Sequence, residues 1–343
     1  MKILFYQDAA KGKYGGIQEH IDRVADCIKR YCEGGNVEIV RGSELAAIRV
    51  RKKPILSSYA VSRIIEESEA DIVHLHGFSS IAVPIFIQQC WLHSTPVCWT
   101  PHFHPFHAHS APLLAKASFY AFLRPKINKV SRVFYFTEEE RSFLSPWLKC
   151  PTRKIFNGFL AAISSPTALL PRRPYMLYFG GPFRRKGYDI VRMIAPHLAS
   201  RGIRLIIISG QQIADCPPSC CRIGPCSREE LAALYTGALG VLVPSRYEAF
   251  GLVALEALAY GTPVIASDMV QGKAHFEKLD LYQEYGKPED IGSLLDTIDF
   301  IRNLDSADLE SFRADAQTVT AEFSWDVLAK IYMESYSKLV NKM

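Results

Sequence analysis

Short apolar runs alternate with helix-like patterns along the whole chain, and this alternation restricts the fold more than any other feature of the sequence. The apolar runs predict strands at residues 2–6, 37–40, 72–76, 97–100 and 133–137, and again at 175–179, 205–209, 240–244 and 263–266. Helices are predicted at residues 18–30, 57–69, 79–93, 188–200, 228–236, 252–260 and 325–340. Strands that are apolar on both faces and joined by helices pair in parallel. The sequence therefore predicts an α/β protein with parallel sheets.

The alternation stops once and then restarts, which predicts two domains. A Pro-rich stretch at residues 164–174 separates the two sets of strands and is typical of a linker. The 343 residues also exceed the ~250–300 residues near which single cores stop growing. We therefore predict doubly wound domains at residues 1–165 and 166–324, followed by a terminal helix. Two such domains bind ligands at the carboxyl ends of their strands.

The net charge of +5 hides an asymmetry between the two halves. Residues 1–165 carry 21 Lys and Arg against 14 Asp and Glu, whereas residues 166–343 carry 19 against 21. A basic half favours an anionic or membrane-held partner on that side. Nucleic acid is not the expected partner, because tight binders usually have a pI above about 9 and this chain has 8.6.

The number of cysteines and the lengths of the apolar runs predict a cytoplasmic protein. The first apolar run is too short for a secretory signal, and nine cysteines, an odd number, fit reduced thiols better than a disulfide framework. Residues 72–115 lack Asp, Glu, Lys and Arg, but Pro84, Pro96 and Pro101 interrupt them before a membrane span of about 20 residues can form. A position at the cytoplasmic face of a membrane stays compatible with this pattern.

The segment from residue 244 to residue 263 carries the strongest chemical pattern. A strand ends before it, Glu248 falls in the loop, and a helix begins near Gly251, with Glu256 about two turns inside it. The exposed amides at a helix start, here Phe250 to Leu252, suit an anionic phosphate. Carboxylates on either side would accept hydrogen bonds from sugar hydroxyls. The alternative interpretation is a capped helix with Glu256 in solvent.

Residues 248–267 resemble the E-x7-E signature of family 4 glycosyltransferases, which are retaining enzymes. The resemblance implies a GT-B fold, in which two Rossmann-like doubly wound domains face a central cleft. Other segments agree in order: the turn with Gly16, the strand of residues 71–77, and the Asn157-Gly158 turn. The start at Ser324-Trp325 resembles the family's terminal helix, so the resemblance implies that helix 325–343 crosses back to the first domain.

The same resemblance implies roles for further residues. Residues 179–187 resemble the loop that holds the donor diphosphate, where Lys186 matches the family lysine. The family commonly has an arginine where this chain has Gly181, and Arg184 or Arg185 is expected to replace it.

His102 matches the family histidine that faces the donor sugar, and Glu248 and His102 are the predicted catalytic residues. The predicted donor-binding residues are Gly16, Arg184, Arg185, Lys186, Phe250, Gly251, Leu252 and Glu256.

Two clusters raise a metal-binding alternative. His102 is followed by His104, His107 and His109, and Cys216, Cys220, Cys221 and Cys226 fall within eleven residues. Zinc sites usually have regularly paired thiolates, and this cysteine spacing is irregular. We therefore predict a surface loop with incidental thiols, no bound metal, and no cofactor, since the nucleotide-sugar is a substrate.

Two stretches bear on the substrates. Residues 45–58 and 108–129 combine apolar and basic side chains, which suits a lipid-linked or polyanionic acceptor, although a partly buried helix with solvated charges is the slightly favoured interpretation. After Ser267 the family usually continues with a glycine pair and a glutamate, whereas residues 268–275 differ. The donor sugar and its base therefore stay open.

The predicted function is transfer of a sugar, with retention, from a UDP- or GDP-sugar donor to a glycan or lipid-linked acceptor. The expected partners are these two substrates and, through the basic first domain, a membrane surface; nucleic acid is not expected. Two alternatives remain: a GT-B-fold nucleotide-sugar epimerase or hydrolase, and a non-catalytic glycosyltransferase-like subunit.

Overall fold

The computed structural model describes residues 1–8, 16–31, 36–45, 48–50, 53–78, 80–102, 119–159, 174–248 and 250–341. These residues divide into two compact units: unit 1 comprises Met1–Gly158 and Trp325–Met343, and unit 2 comprises Phe159–Ser324. The linker predicted at residues 164–174 and the boundary predicted at 165/166 fall almost wholly outside the described ranges. Within those ranges, no helix is both long and apolar enough to cross a lipid bilayer.

Unit 1 contains a six-stranded parallel sheet with the order β2-β1-β5-β6-β7-β8 and a separate antiparallel pair, β3 and β4. Its strands are β1 (Lys2–Gln7), β2 (Asn36–Arg41), β3 (Ile48–Val50), β4 (Lys53–Ile55), β5 (Ile72–His76), β6 (Val97–Thr100), β7 (Arg132–Tyr135) and β8 (Thr152–Lys154). Strands β5 and β6 are buried along their whole length, because helices cover both faces of a parallel sheet.

Unit 2 contains a second six-stranded parallel sheet with the order β11-β10-β9-β12-β13-β14. Its strands are β9 (Tyr175–Phe179), β10 (Arg204–Ile208), β11 (Cys220–Ile223), β12 (Gly240–Val243), β13 (Val264–Ala266) and β14 (Tyr282–Glu284). Read in chain order this is 3-2-1-4-5-6, the order of a doubly wound dinucleotide-binding sheet. Such a sheet binds ligands where the order reverses, here between β9 and β12.

The helices begin where the sequence supplies a cap or a change of periodicity. They are α1 (Gly16–Tyr31), α2 (Gly42–Leu45), α3 (Ser58–Ser68), α4 (Val83–Leu92), α5 (Glu138–Leu144), α6 (Tyr188–Ser200), α7 (Arg228–Gly237), α8 (Leu252–Ala259), α9 (Lys273–Phe276), α10 (Ile291–Arg302), α11 (Ser306–Ala321) and α12 (Trp325–Val340), with a π-helical turn at Phe119–Leu123 and short 3-10 turns at Arg124–Lys129, Ser145–Trp147 and Arg184–Lys186. Ser227 and Glu230 form a capping box at the start of α7.

The terminal helix α12 belongs to unit 1, as the resemblance implied. It packs along α1 and carries two buried tyrosines. The Tyr332 hydroxyl bonds to Nε2 of His20 at 2.9 Å, and the Tyr336 hydroxyl bonds to Nδ1 of His74. These polar contacts bind the end of the chain to the first sheet, although their partners lie far apart in sequence.

The chain leaves unit 1 and returns to it at neighbouring points. The Phe159 amide donates to the Phe323 carbonyl at 2.7 Å, and Phe159 forms a parallel bridge with Ser324. One residue before the first crossing, Gly158 packs so closely on Trp325 that a Cβ would lie 2.3 Å from its ring. The need for glycine in the Asn157-Gly158 turn therefore comes from the start of α12.

One sequence-based expectation was wrong for unit 2. The cysteine-rich stretch was expected to be a surface loop, but Cys220 and Cys221 lie in β11, paired in parallel with β10. The sequence hides this strand because it is short, lies at the sheet edge and follows two prolines.

We expect the free energy of unfolding of unit 1 to fall as the pH drops from 7 towards 4. Burial lowers the pKa of His20 from 6.5 to about 4 and lowers the pKa values of His74, His76 and His102 well below 6.5. The unfolded chain therefore takes up protons first, and His20 alone should cost on the order of 3 kcal/mol by pH 4. Urea unfolding followed by tryptophan fluorescence measures this, because all four tryptophans lie in unit 1.

His20→Gln should flatten the dependence of that free energy on pH between 4 and 6.5. His197→Gln, which changes an exposed histidine of unit 2, serves as the control and should leave it unchanged. An equal slope in wild type and His20→Gln would contradict the prediction.

Candidate active site

The turn after β9 carries the predicted diphosphate-binding residues. It forms a single 3-10 turn at Arg184–Lys186, and Gly187 ends it with φ +76°. A Cβ on Gly187 would lie 2.0 Å from the Pro244 carbonyl oxygen. Since this approach needs glycine and positive φ also favours it, the turn is fixed against the end of β12.

Glu248 lies in the loop after β12, the strand that pairs with β9. Its carboxylate forms an ion pair with the Lys186 ammonium, and both side chains are about four-fifths buried, with 24% of Lys186 and 19% of Glu248 exposed. The two residues meet at the point where the strand order of the sheet reverses. The structure therefore brings together the predicted leaving-group cation and the predicted catalytic carboxylate.

Helix α8 begins beside this pair without a side-chain cap. Gly251 adopts φ +80° at the N-cap position, and Leu252 opens the helix. Phe250 is buried against Phe276 and Phe323, which fixes the preceding loop. An uncapped helix start presents backbone N–H groups and the positive end of the dipole, as anion binding requires.

Glu256 accepts a hydrogen bond from the Tyr235 hydroxyl at 2.9 Å. The Tyr235 ring is buried between the rings of Phe179 and Tyr260, with centroids 5.0 and 5.5 Å away and nearly parallel planes. Burial and the nearby Glu256 carboxylate raise the pKa of Tyr235, so this hydroxyl stays protonated as a donor. The sequence analysis missed Tyr235, which lies 21 residues before Glu256.

The stretch that departs from the family pattern packs directly on the Glu248 loop. The Gln271 amide donates to the Glu248 carbonyl at 2.9 Å, and Glu248 forms a parallel bridge with Val270. A Cβ on Gly272 would lie 1.7 Å from the Phe250 carbonyl oxygen. Residues 268–272 therefore help to fix the position of the loop that carries Glu248.

Gly181, where the family pattern commonly has an arginine, packs against two side chains. A Cβ there would meet the side chains of Gln211 at 2.8 Å and Phe183 at 2.9 Å. Arg184 is 82% exposed and reaches Asp189 at 3.8 Å, and Arg185 is also exposed. The assignment of either arginine to the donor stays a prediction.

His102 lies after β6 at the carboxyl edge of the first sheet, and Gly16 begins α1. His102 Nε2 lies 3.0 Å from His76 Nδ1, and its backbone has φ +48°, uncommon for a residue other than glycine. Burial and the His20 and His74 rings lower the pKa of His102, so its ring is neutral near pH 7. Among the described residues nothing bonds to His102 Nδ1, which leaves that atom for a ligand.

His20, His76 and His102 place ring nitrogens within 4.8 Å of one another, a spacing that could hold a metal ion. Both nitrogens of His20 are already used, by Asn157 at 2.8 Å and by Tyr332. The His76–His102 bond uses two more, so hydrogen bonds already occupy four of the six ring nitrogens. His104, His107 and His109 lie outside the described residues, and the expectation that no metal is bound stays a prediction.

A row of polar residues that the sequence analysis missed lies where the strand order of the first sheet reverses. Gln7 ends β1, its register partner Arg41 ends β2, and His76 ends β5 on the other side. In the described part of the chain, both amide atoms of Gln7, Nη1 of Arg41 and Nε2 of His76 are buried without hydrogen-bond partners. Buried polar atoms in this state call for a ligand or water. The signal in the sequence is a polar residue at the end of each apolar run.

The cysteines form no disulfide among the described residues. Burial raises the pKa of Cys220 to about 12, and it also raises the pKa of Cys216, so these two thiols are protonated near pH 7. The expectation that this stretch binds no metal stays a prediction.

Two doubly wound parallel units, with charged and polar residues where each strand order reverses, define the GT-B class of enzymes. Residues 14–159 match the family described as Glycosyltransferase Family 4, and residues 163–317 match Glycosyl transferases group 1. These two matches together span most of the chain. The chain belongs to the GT4-type glycosyltransferases.

Curated relatives match over part of their length. D-inositol 3-phosphate glycosyltransferase 1 of Catenulispora acidiphila is 37% identical over 121 residues, which cover 29% of this chain and 29% of the relative. Glycogen synthase of Thermus thermophilus is 33% identical over 182 residues, which cover 48% of this chain and 39% of the relative. The matched segments thus span roughly a third of the relatives' length.

Solved structures match over the whole chain at low identity. Sucrose-phosphate synthase from Thermosynechococcus elongatus has a TM-score of 0.78 at 18% identity and covers 100% of both chains. HepE from Anabaena, solved with UDP and glucose, has a TM-score of 0.74 at 16% identity, covering 98% and 100%. At these identities the similarity concerns the fold.

We expect Gly272→Ala to destabilise unit 2 by about 1–3 kcal/mol, because the new Cβ would overlap the Phe250 carbonyl and push the Glu248 loop away. Gly272 has φ −61°, so alanine would cause no backbone strain of its own. Gly224→Ala is the matched control, since a Cβ there meets nothing within 4 Å. Calorimetric unfolding of both variants checks this, and equal stabilities would contradict it.

Proposed function

We propose that this glycosyltransferase moves a sugar, with retention at the anomeric carbon, from a UDP- or GDP-sugar to a glycan or lipid-linked acceptor. The observation that carries the proposal is the Lys186–Glu248 ion pair beside the uncapped start of α8, at the reversal point of the second sheet. A cation, a carboxylate and free amides in one place suit a sugar diphosphate, which carries negative charge at one end and hydroxyls at the other.

In the proposed reaction the bond between the anomeric carbon and the diphosphate oxygen breaks. Lys186 and the amides of Gly251 and Leu252 stabilise the negative charge that develops on the leaving diphosphate. The acceptor hydroxyl forms the new bond on the same face, and its proton passes to the leaving phosphate. Arg184 and Arg185 lie in the same turn and add positive potential.

Glu248 acts on the sugar side of this reaction. As the bond breaks, positive charge develops at the anomeric carbon, and a nearby carboxylate stabilises it. The ion pair with Lys186 holds the Glu248 carboxylate in place before the donor binds. When the donor binds, this ion pair breaks. The Lys186 ammonium then contacts the phosphate, and the Glu248 carboxylate contacts the sugar.

Glu256 holds the ribose of the donor nucleotide. Its carboxylate is fixed by Tyr235, which is itself held in a stack of three rings. A fixed carboxylate can accept two hydrogen bonds from the vicinal hydroxyls of ribose at little cost in entropy.

The polar edge of unit 1 is assigned to sugar hydroxyls, those of the donor for His102 and those of the acceptor for Gln7 and Arg41. Among the described residues, Nδ1 of His102, both amide atoms of Gln7 and Nη1 of Arg41 have no hydrogen-bond partner. The mixed hydrogen-bond donors and acceptors of Gln7 and Arg41 fit a hydroxyl-bearing acceptor. Gly16, predicted to bind the donor, begins α1 beside these strands, where glycine lets backbone approach a ligand.

A lipid-linked acceptor at the cytoplasmic face of a membrane fits part of the surface of unit 1. Trp91, Leu92 and Phe122 are each more than half exposed. Lys129 lies 3.9 Å above the Trp91 ring, and Lys126 donates to the Phe122 carbonyl. Mixed aromatic and basic surface favours the lipid interface. The side chains of residues 46–54 and 108–120, on which the same expectation also rested, lie outside the described residues.

The experiment that tests this function is a matrix of donors and acceptors. UDP-, GDP- and ADP-sugars are incubated with the enzyme alone, with soluble glycans and with lipid extracts, and products are separated by mass and anomeric configuration. Transfer with retention supports the proposal. Epimerised or hydrolysed donor without any acceptor would instead support the epimerase or hydrolase alternative, and absence of binding to every donor would support a non-catalytic subunit.

We expect Glu248→Gln to lower the transfer rate about a hundredfold or more, because the amide cannot stabilise positive charge at the anomeric carbon. The substitution keeps the shape of the side chain, so unit 2 should still fold. Initial rates at saturating donor measure the effect. Glu310→Gln, an exposed glutamate of the same unit, is the control. A turnover like that of wild type would rule out the assigned role.

We expect Glu256→Ala to weaken nucleoside diphosphate binding about tenfold, since hydrogen bonds to a charged group are lost. Tyr235→Phe keeps the ring stack but frees the carboxylate, and should cause a smaller loss. Calorimetric titration with the preferred nucleotide and its 2′-deoxy form distinguishes a loss of ribose contacts from a general loss of nucleotide affinity. Wild type should discriminate against the 2′-deoxy form and Glu256→Ala should not; unchanged discrimination would contradict the ribose role.

A further inference from the structure

Arg246 lies two residues before Glu248, and its side chain bonds to two carboxylates and a backbone carbonyl. Its Nη1 and Nη2 bond to the two oxygens of Asp189 at 2.7 and 2.8 Å, and its Nε bonds to Glu289 at 2.7 Å. Only 19% of its side chain is exposed. A largely buried arginine between two carboxylates is a fixed structural element rather than a mobile surface charge.

The same residue also holds the backbone of the donor turn. Arg246 Nη1 donates to the Arg184 carbonyl at 2.7 Å, and the Arg246 amide donates to the Arg185 carbonyl at 2.9 Å. Both residues that precede Lys186 are thus bound to the loop that precedes Glu248. Among the described residues, no other side chain bonds to the backbone of residues 184 and 185.

The charges of the turn explain why such a contact is needed. Arg184, Arg185 and Lys186 are three consecutive cations on one short turn, and like charges favour its opening. Asp189 lies in the first turn of the helix that follows and binds Arg246 through both oxygens, with Arg184 at a longer 3.8 Å. A planar guanidinium can reach two carboxylates and a carbonyl together, whereas the single ammonium of a lysine cannot match that geometry.

We propose that Arg246 is the positioning residue for Lys186: it binds the donor turn to the Glu248 loop so that the cation and the carboxylate stay in register for the sugar diphosphate. This inference rests on the proposed function of the site. Arg246 itself points to Asp189, Glu289 and the turn backbone, so its effect on the reaction passes through the placement of Lys186.

The test is calorimetric binding of UDP, GDP and ADP, and of the matching monophosphates, to wild type and to Arg246→Gln. The turn meets the terminal phosphate, so the variant should bind the preferred diphosphate about tenfold more weakly and the monophosphate less than twofold more weakly. Transfer should fall further, on the order of a hundredfold in kcat, because misplacing a catalytic group by about 1 Å has that effect. Equal losses for diphosphate and monophosphate would overturn the proposal.

Arg201→Gln is the matched control. Arg201 also binds one carboxylate through Nε and Nη2, that of Asp299, in the same unit but on other helices. Arg201→Gln removes this ion pair, and it should lower the unfolding temperature without changing the ratio of diphosphate to monophosphate affinity. A similar change of that ratio in Arg201→Gln would reduce the role of Arg246 to general stability and overturn the proposal.

A double-mutant cycle with Lys186→Ala tests the route of the effect. If Arg246 acts through Lys186, adding Arg246→Gln to Lys186→Ala should cost little further diphosphate affinity, and additive losses would contradict the proposal. Should Arg246→Gln fail to fold, Asp189→Asn removes its bidentate partner and should give the same selective loss. If wild type binds none of the three nucleotides, the proposed function fails and this inference with it. If wild type binds a diphosphate and the Arg246→Gln and Asp189→Asn variants bind it equally tightly, this inference alone fails.

Discussion

Parallel pairing of the strands is the constraint on which the rest of this structure depends. Every pair in the two six-stranded sheets runs in the same direction, so all strand ends of one sheet lie along one edge. Residues distant in sequence then meet if their strands are neighbours. Lys186 follows β9 and Glu248 follows β12, and their ion pair is a direct result of the pairing between those strands. In the first sheet the same rule brings Gln7 next to His76.

Charge balance sets the character of the second sheet's edge. Four cations lie within a few residues of one another in space, and each of three carboxylates neutralises part of that charge: Glu248 pairs with Lys186, and Asp189 and Glu289 pair with Arg246. Partly buried charges without such partners would be costly. This edge of the sheet therefore holds one more cation than carboxylates, while its two partly buried cations, Lys186 and Arg246, are each paired with a carboxylate.

Most of the fold could be predicted from sequence because the apolar runs are clearly bounded and recur with helical patterns between them; β9 and the helix Tyr188–Ser200 begin and end where predicted. The short edge strand β11 could not, since its residues resemble a loop. In the site, Lys186 and Glu248 lie in recognisable motifs. Arg246 escaped notice because its partners lie 43 to 62 residues away, and a lone arginine in a loop resembles a solvated charge.

The pairing of Phe159 with Ser324 has a consequence for how the chain can be recombined. Unit 2 starts and ends at adjacent residues, while unit 1 is completed by the terminal helix that follows it. In topological terms unit 2 is an insert carried within unit 1. An insert whose two ends lie side by side can be exchanged for another without stretching the host's backbone. Unit 2 can therefore be replaced as a whole while the sheet of unit 1 keeps its own connections.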